Sequence, residues 1–93
     1  MLNVNEYFEG AVKSIAIETA KGPATIGAME PGDYKFNTAA KEKMVVVSGS
    51  LTVLLPGSEE WATYTDGQEF DVPAESAFDV KVDCQTAYLC YYG

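Results

Sequence analysis

Turn residues punctuate this chain so often that no long element fits between them. Lys21-Gly22-Pro23, Pro31-Gly32, Ser48-Gly49, Pro56-Gly57-Ser58, Asp66-Gly67 and Pro73 each mark a reversal or a strand end. The runs between them are short and rich in Val, Ile, Thr, Tyr and Phe, and none holds a 3.6-residue period. That combination predicts an all-β sandwich or barrel. Nine strands are expected, over residues 11–19, 24–29, 34–37, 44–48, 51–55, 61–65, 69–72, 78–82 and 86–92. In the first, Ile15 and Ile17 alternate with Ser14, Ala16 and Glu18. The near-continuous apolar run from Met44 to Ser48 predicts a strand covered on both faces. Phe78, Val80 and Val82 alternate with Asp79 and Lys81, and Tyr88, Cys90 and Tyr92 with Ala87, Leu89 and Tyr91. The first set of each pair is expected to point inward.

With 93 residues the chain has length for one domain, 1–93, and no more. A sheet this small leaves edges that invite closure or pairing with a second copy, so a homodimer is expected, with Leu89 and Tyr91 as contacts. No window approaches the roughly 18 apolar residues of a membrane span, and the first ten residues lack a basic region and an apolar run. A cytoplasmic location and no membrane partner are therefore expected.

Charge removes several functions. The net charge is −8, and the basic residues are six lysines with no Arg and no His. Phosphate-backbone binding is poorly served by such a chain, so no nucleic acid is expected as a partner. Without His there is no Ser-His-Asp triad, no Cys-His pair and no His-ligated zinc. No metal and no cofactor are expected. Cys84 and Cys90 do not form a Cys-x-x-Cys motif and are expected as free thiols; Cys90 has no visible base to activate it.

The best candidate for a working group is Glu42. It falls in a polar loop between two apolar strands, within Gly32 to Gly49, and is flanked by Lys41 and Lys43. The alternative is a solvated loop carboxylate paired with one of those lysines.

Two spacings carry more information. Glu42-x6-Gly49 is preceded by Gly32, and Gly67-x5-Pro73 is followed by Phe78. They resemble the two motifs of the cupin superfamily, which implies a small jelly-roll β-barrel. The match is partial. The usual His-x-His pair falls near Phe36 and Thr38, the Gly after the motif proline is Glu75, and the last His is Phe78. A cupin is implied, and a metal-binding cupin is contradicted. Asn5 to Ile15, Gly32 to Ala39, Met44 with Val-Val-Val-Ser-Gly, Leu51 to Pro56 and the ending Tyr-Leu-Cys-Tyr-Tyr together resemble the pyrimidine/purine nucleoside phosphorylase family over essentially the whole chain.

That resemblance implies metal-independent, phosphate-dependent cleavage of many ribonucleosides to free base and ribose 1-phosphate, by a homodimer. Nucleoside and inorganic phosphate are the implied partners. Positive charge should develop on the ribose ring as the bond to the base breaks, by analogy with glycoside cleavage. On this reading Glu42 stabilises the ring, Thr38 binds ribose or phosphate, and Phe36, Met44, Phe78, Tyr88 and Tyr92 form a wall for the base. Lys41, Lys43 or Lys13 would meet phosphate. Phe36 and Phe78 are equally core residues of a small barrel. Two other readings stay open: a non-catalytic cupin that binds a sugar or nucleotide, and a metal-free cupin sugar isomerase or epimerase.

Overall fold

The structure, a computed structural model, describes residues 2–92. Alternating side chains fold the chain into ten strands: β1 (Val4–Tyr7), β2 (Val12–Thr19), β3 (Gly22–Met29), β4 (Gly32–Asn37), β5 (Glu42–Ser48), β6 (Ser50–Leu54), β7 (Ala62–Thr65), β8 (Glu69–Val72), β9 (Ala77–Val82) and β10 (Thr86–Tyr92). Nine of them answer to the expected strands. The tenth, β1, precedes them and lies along β2 with Val4 opposite Ile15.

Two antiparallel sheets result, ordered β1-β2-β3-β10-β5-β8 and β4-β9-β6-β7. Apart from the β6–β7 hairpin, successive strands from β3 to β10 alternate between the two sheets in jelly-roll fashion, and the inner faces of both meet in one core. Val46, Leu51, Val53, Val72 and Val80 are its most deeply buried aliphatic residues from β5 onward. The inward sets read from the alternation in β9 and β10 are the ones found inside, except that Tyr92, at the end of β10, is partly exposed.

Three local expectations are corrected. In β2 the inward residues are Val12 and Ser14, both buried, while Ile15 and Ile17 face outward. Because side chains alternate with period two, a one-residue shift exchanges the faces. In β5 only the Met44 and Val46 side is buried; Val45 is half-buried and Val47 is 49% exposed, so one face of that strand is uncovered in the single chain. Glu42 is not in a loop. It opens β5 and pairs with Tyr92 on one side and Val72 on the other.

The outer face of the larger sheet carries an apolar row. Val4, Ile15, Ile26, Leu89 and Val45 lie opposite one another across five strands. In the turn between β8 and β9, Glu75 has φ 52°, in the left-handed region that favours glycine. This is the position where the cupin motif carries Gly, so the turn geometry persists although the residue does not.

Candidate functional site

The inner faces of the two sheets diverge at one end and leave a cavity of about 130 Å³. Its lining comes from seven strands. β2 and β3 contribute Ser14, Thr25 and Met29; β4 and β9 contribute Phe36, Asn37 and Phe78; β5 and β10 contribute Glu42, Met44, Tyr88, Cys90 and Tyr92; and Tyr7 at the end of β1 completes it.

The walls differ in character. Ser14, Thr25, Glu42, Tyr88, Cys90 and Tyr92 all come from the larger sheet and form a polar wall. Opposite, Phe36 and Phe78 are stacked with ring centroids 5.6 Å apart. These two rings belong to a longer run: Phe8 meets Phe36 at 5.5 Å, Phe78 meets Phe70 at 6.3 Å, and Phe70 meets Tyr64 at 4.7 Å.

Among the described residues Glu42 is the only carboxyl in the lining, and it makes no salt bridge with any of them. Lys43, its neighbour in sequence, pairs instead with Glu69 at 3.5 Å. The hydrogen-bond partner of Glu42 is Cys90, whose Sγ donates to Oε1 at 3.4 Å. Partial burial raises the Glu42 carboxyl above its ordinary range, and the Cys90 hydrogen bond opposes that only in part. The same desolvation, reinforced by the Glu42 charge, pushes the Cys90 thiol up to about 12. Burial also raises Tyr92 to about 12 and lifts Tyr88, whose hydroxyl faces Ser14. Tyr92 Oη and Thr25 Oγ1 share a hydrogen bond of 3.1 Å. Both cysteines are free thiols, Cys84 on the surface and Cys90 within the core.

Of the residues singled out in the sequence, Glu42, Phe36, Met44, Phe78, Tyr88 and Tyr92 line this one cavity. Thr38 does not join them. It is buried, and its hydroxyl is held by the backbone around Pro73 and Ser76: Oγ1 donates to Pro73 O at 2.7 Å and accepts from Ser76 N at 3.0 Å. The lysines divide as well. Lys41 and Lys43 line an open groove of about 570 Å³ together with Lys21, and this groove shares Glu42 and Tyr92 with the cavity. Lys13 pairs with Glu6 at 3.5 Å and lines a separate groove with Glu30 and Gln85. Among the described residues no lysine lines the cavity itself.

Tyr7, Ser14, Thr25, Met29, Asn37 and Cys90 also line the cavity and are not assigned to it from the sequence alone. Ser14 and Thr25 are polar residues on the inner faces of their strands, and the adjacent Ile15 and Ile26 pair with each other on the outer face. The usual cupin metal does not fit. Phe36 and Phe78 present rings where imidazoles would be needed, and Thr38 is turned to Pro73 and Ser76. Among the described residues no three His, Cys, Asp or Glu side chains come together.

The profile of the pyrimidine/purine nucleoside phosphorylase family matches residues 2–92. The chain belongs to that family. A pyrimidine/purine nucleoside phosphorylase from Shewanella halifaxensis is 60% identical over 93 residues, the whole of both chains. One from Pseudomonas fluorescens is 61% identical over 92 residues, 99% of this chain and 98% of that one. Among solved structures, a protein of unknown function from Vibrio parahaemolyticus is 42% identical with a TM-score of 0.93, covering 97% of this chain and 96% of that one. The cupin domain of Drosophila melanogaster CENP-C matches with a TM-score of 0.74 at 14% identity, over 99% of this chain and 75% of that one. That likeness concerns the fold alone, and the fold is a cupin.

Proposed function

We propose that this protein is a metal-independent, homodimeric nucleoside phosphorylase of the cytoplasm, cleaving purine and pyrimidine ribonucleosides with phosphate to free base and ribose 1-phosphate. Family membership supplies the reaction class. The observation that carries the reading is the two-walled cavity, with aromatic rings on one side and a lone carboxyl among hydroxyls on the other. An apolar pocket of about 150 Å³ holds one six-membered ring. A cavity of about 130 Å³ therefore suits one ring of a nucleoside, with the remainder at the rim. The base against Phe36 and Phe78 would put the ribose near Glu42 and Tyr92, the two residues common to cavity and groove. Phosphate would then arrive from the side of Lys41 and Lys43. A wall of stacking surfaces has no fixed hydrogen-bond code and tolerates many bases.

The outer row Val4, Ile15, Ile26, Leu89 and Val45 supports the dimer, because an apolar sheet face in water favours a partner. Light scattering should give a dimer mass for the wild type and a monomer for Leu89→Lys; a wild-type monomer rejects the assembly.

The activity is tested by incubating the protein with adenosine or uridine, with and without phosphate, and following free base by ultraviolet absorbance. Release only with phosphate is expected. No release from several nucleosides rejects the reading in favour of a binding cupin. One observation favours that second reading: among the described residues no lysine lines the cavity, and Lys43 is engaged by Glu69. Stoichiometric transition metal in active protein would reject metal independence.

A further inference from the structure

We propose that Glu42 is the general acid that protonates the departing base, with Cys90 as the residue that positions it. The inference rests on the phosphorylase reading and replaces the purely electrostatic role expected for this carboxylate.

Breaking the C1′–N bond leaves its electron pair on the base. A purine or pyrimidine anion leaves far less readily than the neutral base, so the reaction needs a proton donor at the base. The ionisable groups in the lining are Glu42, Tyr88, Cys90 and Tyr92, with Tyr7, 47% exposed, at the end of β1; a phenol is in any case a far weaker acid than a carboxyl. Tyr88, Cys90 and Tyr92 are held by burial in forms that release a proton only in strong alkali. Glu42 differs in kind. It is a carboxyl in a partly desolvated site, with no salt bridge to the described residues, and burial raises its affinity for a proton above that of an ordinary carboxyl. Among the groups lining the cavity it is the carboxyl, placed at the mouth shared with the groove, that can give up a proton without strong alkali.

Cys90 fixes how the carboxyl is used. Its thiol donates to Oε1 at 3.4 Å, so that oxygen is occupied as an acceptor. The proton then resides on the other oxygen. The charged groups around Glu42 lie outside this contact. From the groove side they are Lys21, Lys41, Lys43, Glu69 and Asp71, three of each sign when Glu42 is ionised, so no surplus of positive charge strips the proton away. From the cavity side they are Tyr7, Tyr88, Cys90 and Tyr92.

In this step the C1′–N pair goes to the base, and the Glu42 proton goes to a ring nitrogen or carbonyl oxygen of the base that becomes basic as the bond breaks. A phosphate oxygen supplies the pair for the new C1′–O bond. The hydrogen phosphate dianion loses its proton on forming ribose 1-phosphate, and through solvent that proton restores the Glu42 acid.

Guanosine and 7-methylguanosine separate this role from electrostatic stabilisation. The 7-methyl base already carries positive charge on its imidazole ring and departs without a proton, whereas the charge that develops on ribose is common to both substrates. General acids contribute about 10²–10⁴-fold. Glu42→Gln should therefore cut kcat on guanosine by about 100-fold or more, and on 7-methylguanosine by less than about fivefold. Equal losses on both overturn the proposal. A second measurement needs guanosine alone. The wild-type rate should fall on the alkaline side of the Glu42 titration, and Glu42→Gln should lose that limb; a limb that persists also overturns it. Cys90→Ala removes a donor to the carboxylate and should move the limb to higher pH, with Cys90→Ser, which keeps a donor, moving it less. An unmoved limb in Cys90→Ala overturns the positioning role. Wild-type protein that releases base from neither substrate refutes the phosphorylase reading instead.

Discussion

Thr38→Val tests whether the motif threonine serves the fold or the substrate. The replacement keeps the branched shape and deletes one hydroxyl. In the wild type that hydroxyl donates to Pro73 O at 2.7 Å, lies 3.3 Å from Ser76 O and accepts from Ser76 N at 3.0 Å. Ser76 O keeps the Thr38 N–H at 2.8 Å after the change. Pro73 O and Ser76 N lose a partner. Each buried group left unpaired costs about 1–3 kcal/mol. Partial access to water, since Ala74 and Glu75 are exposed, brings the expected total to about 2–3 kcal/mol. For a domain of this size that corresponds to a fall in Tm of roughly 10–20 °C. Thermal melts followed by circular dichroism, with Thr38→Ser as the variant that keeps the hydroxyl, measure it. At about 25 °C the folded Thr38→Val fraction should retain kcat on adenosine. A variant that melts within about 2 °C of wild type and yet loses phosphorolysis would refute the structural assignment and return Thr38 to the site.

Two further outcomes are expected. A Cβ on Gly27 would lie 2.6 Å from Lys13 O on one neighbouring strand and 2.7 Å from the Tyr88 ring on the other. Overpacking of this kind costs about 1–3 kcal/mol, so Gly27→Ala should lower the urea midpoint and push Tyr88 into the cavity, raising KM for nucleosides; an unchanged midpoint contradicts the crowding. Glu42→Gln bears on pH. Because the folded-state carboxyl binds its proton more tightly than the unfolded one, the stability it lends is full below the unfolded pKa and is lost as pH rises through the folded pKa. Glu42→Gln should thus melt above wild type at about pH 8, with the gap closing near the acid limit of the assay; a lower Tm there would mean that an unseen partner stabilises the carboxylate.

The alternation in β9 is legible because Phe78, Val80 and Val82 stand against Asp79 and Lys81, whereas in β10 both faces are largely apolar and the inward placement of Tyr88 and Cys90 is decided by the strands that flank it. The same rule misleads at β2. There the outer face bears Ile15 and Ile17 and the inner face bears Ser14, and a polar residue inside is intelligible only once the cavity it borders is known. Glu42 is legible as important through its spacing to Gly49, but not as unpaired. Which lysine takes which carboxylate depends on strand pairing: β8 brings Glu69 alongside β5, and Lys43 turns to it. The fate of Thr38 is equally remote, since Pro73 and Ser76 lie 35 and 38 positions away in the chain. The cupin spacing locates the turn at Glu75, and the φ of 52° there explains why glycine usually holds that place.

The run of rings from Phe8 through Phe36, Phe78 and Phe70 to Tyr64 makes the aromatic wall of the cavity continuous with the hydrophobic core. The molecule consequently carries its own internal reporter. A base seated against Phe36 and Phe78 adds one more ring to the series, and any shift it imposes on those two rings is passed by packing to Phe70 and Tyr64, whose own ring-current environment then changes. Proton resonances of Phe70 and Tyr64 should then register occupancy from the far side of the barrel, with no label near the chemistry. The same continuity means that substitutions at Phe70 or Tyr64, well removed from Glu42, will be read out as changes in nucleoside affinity as well as in melting temperature.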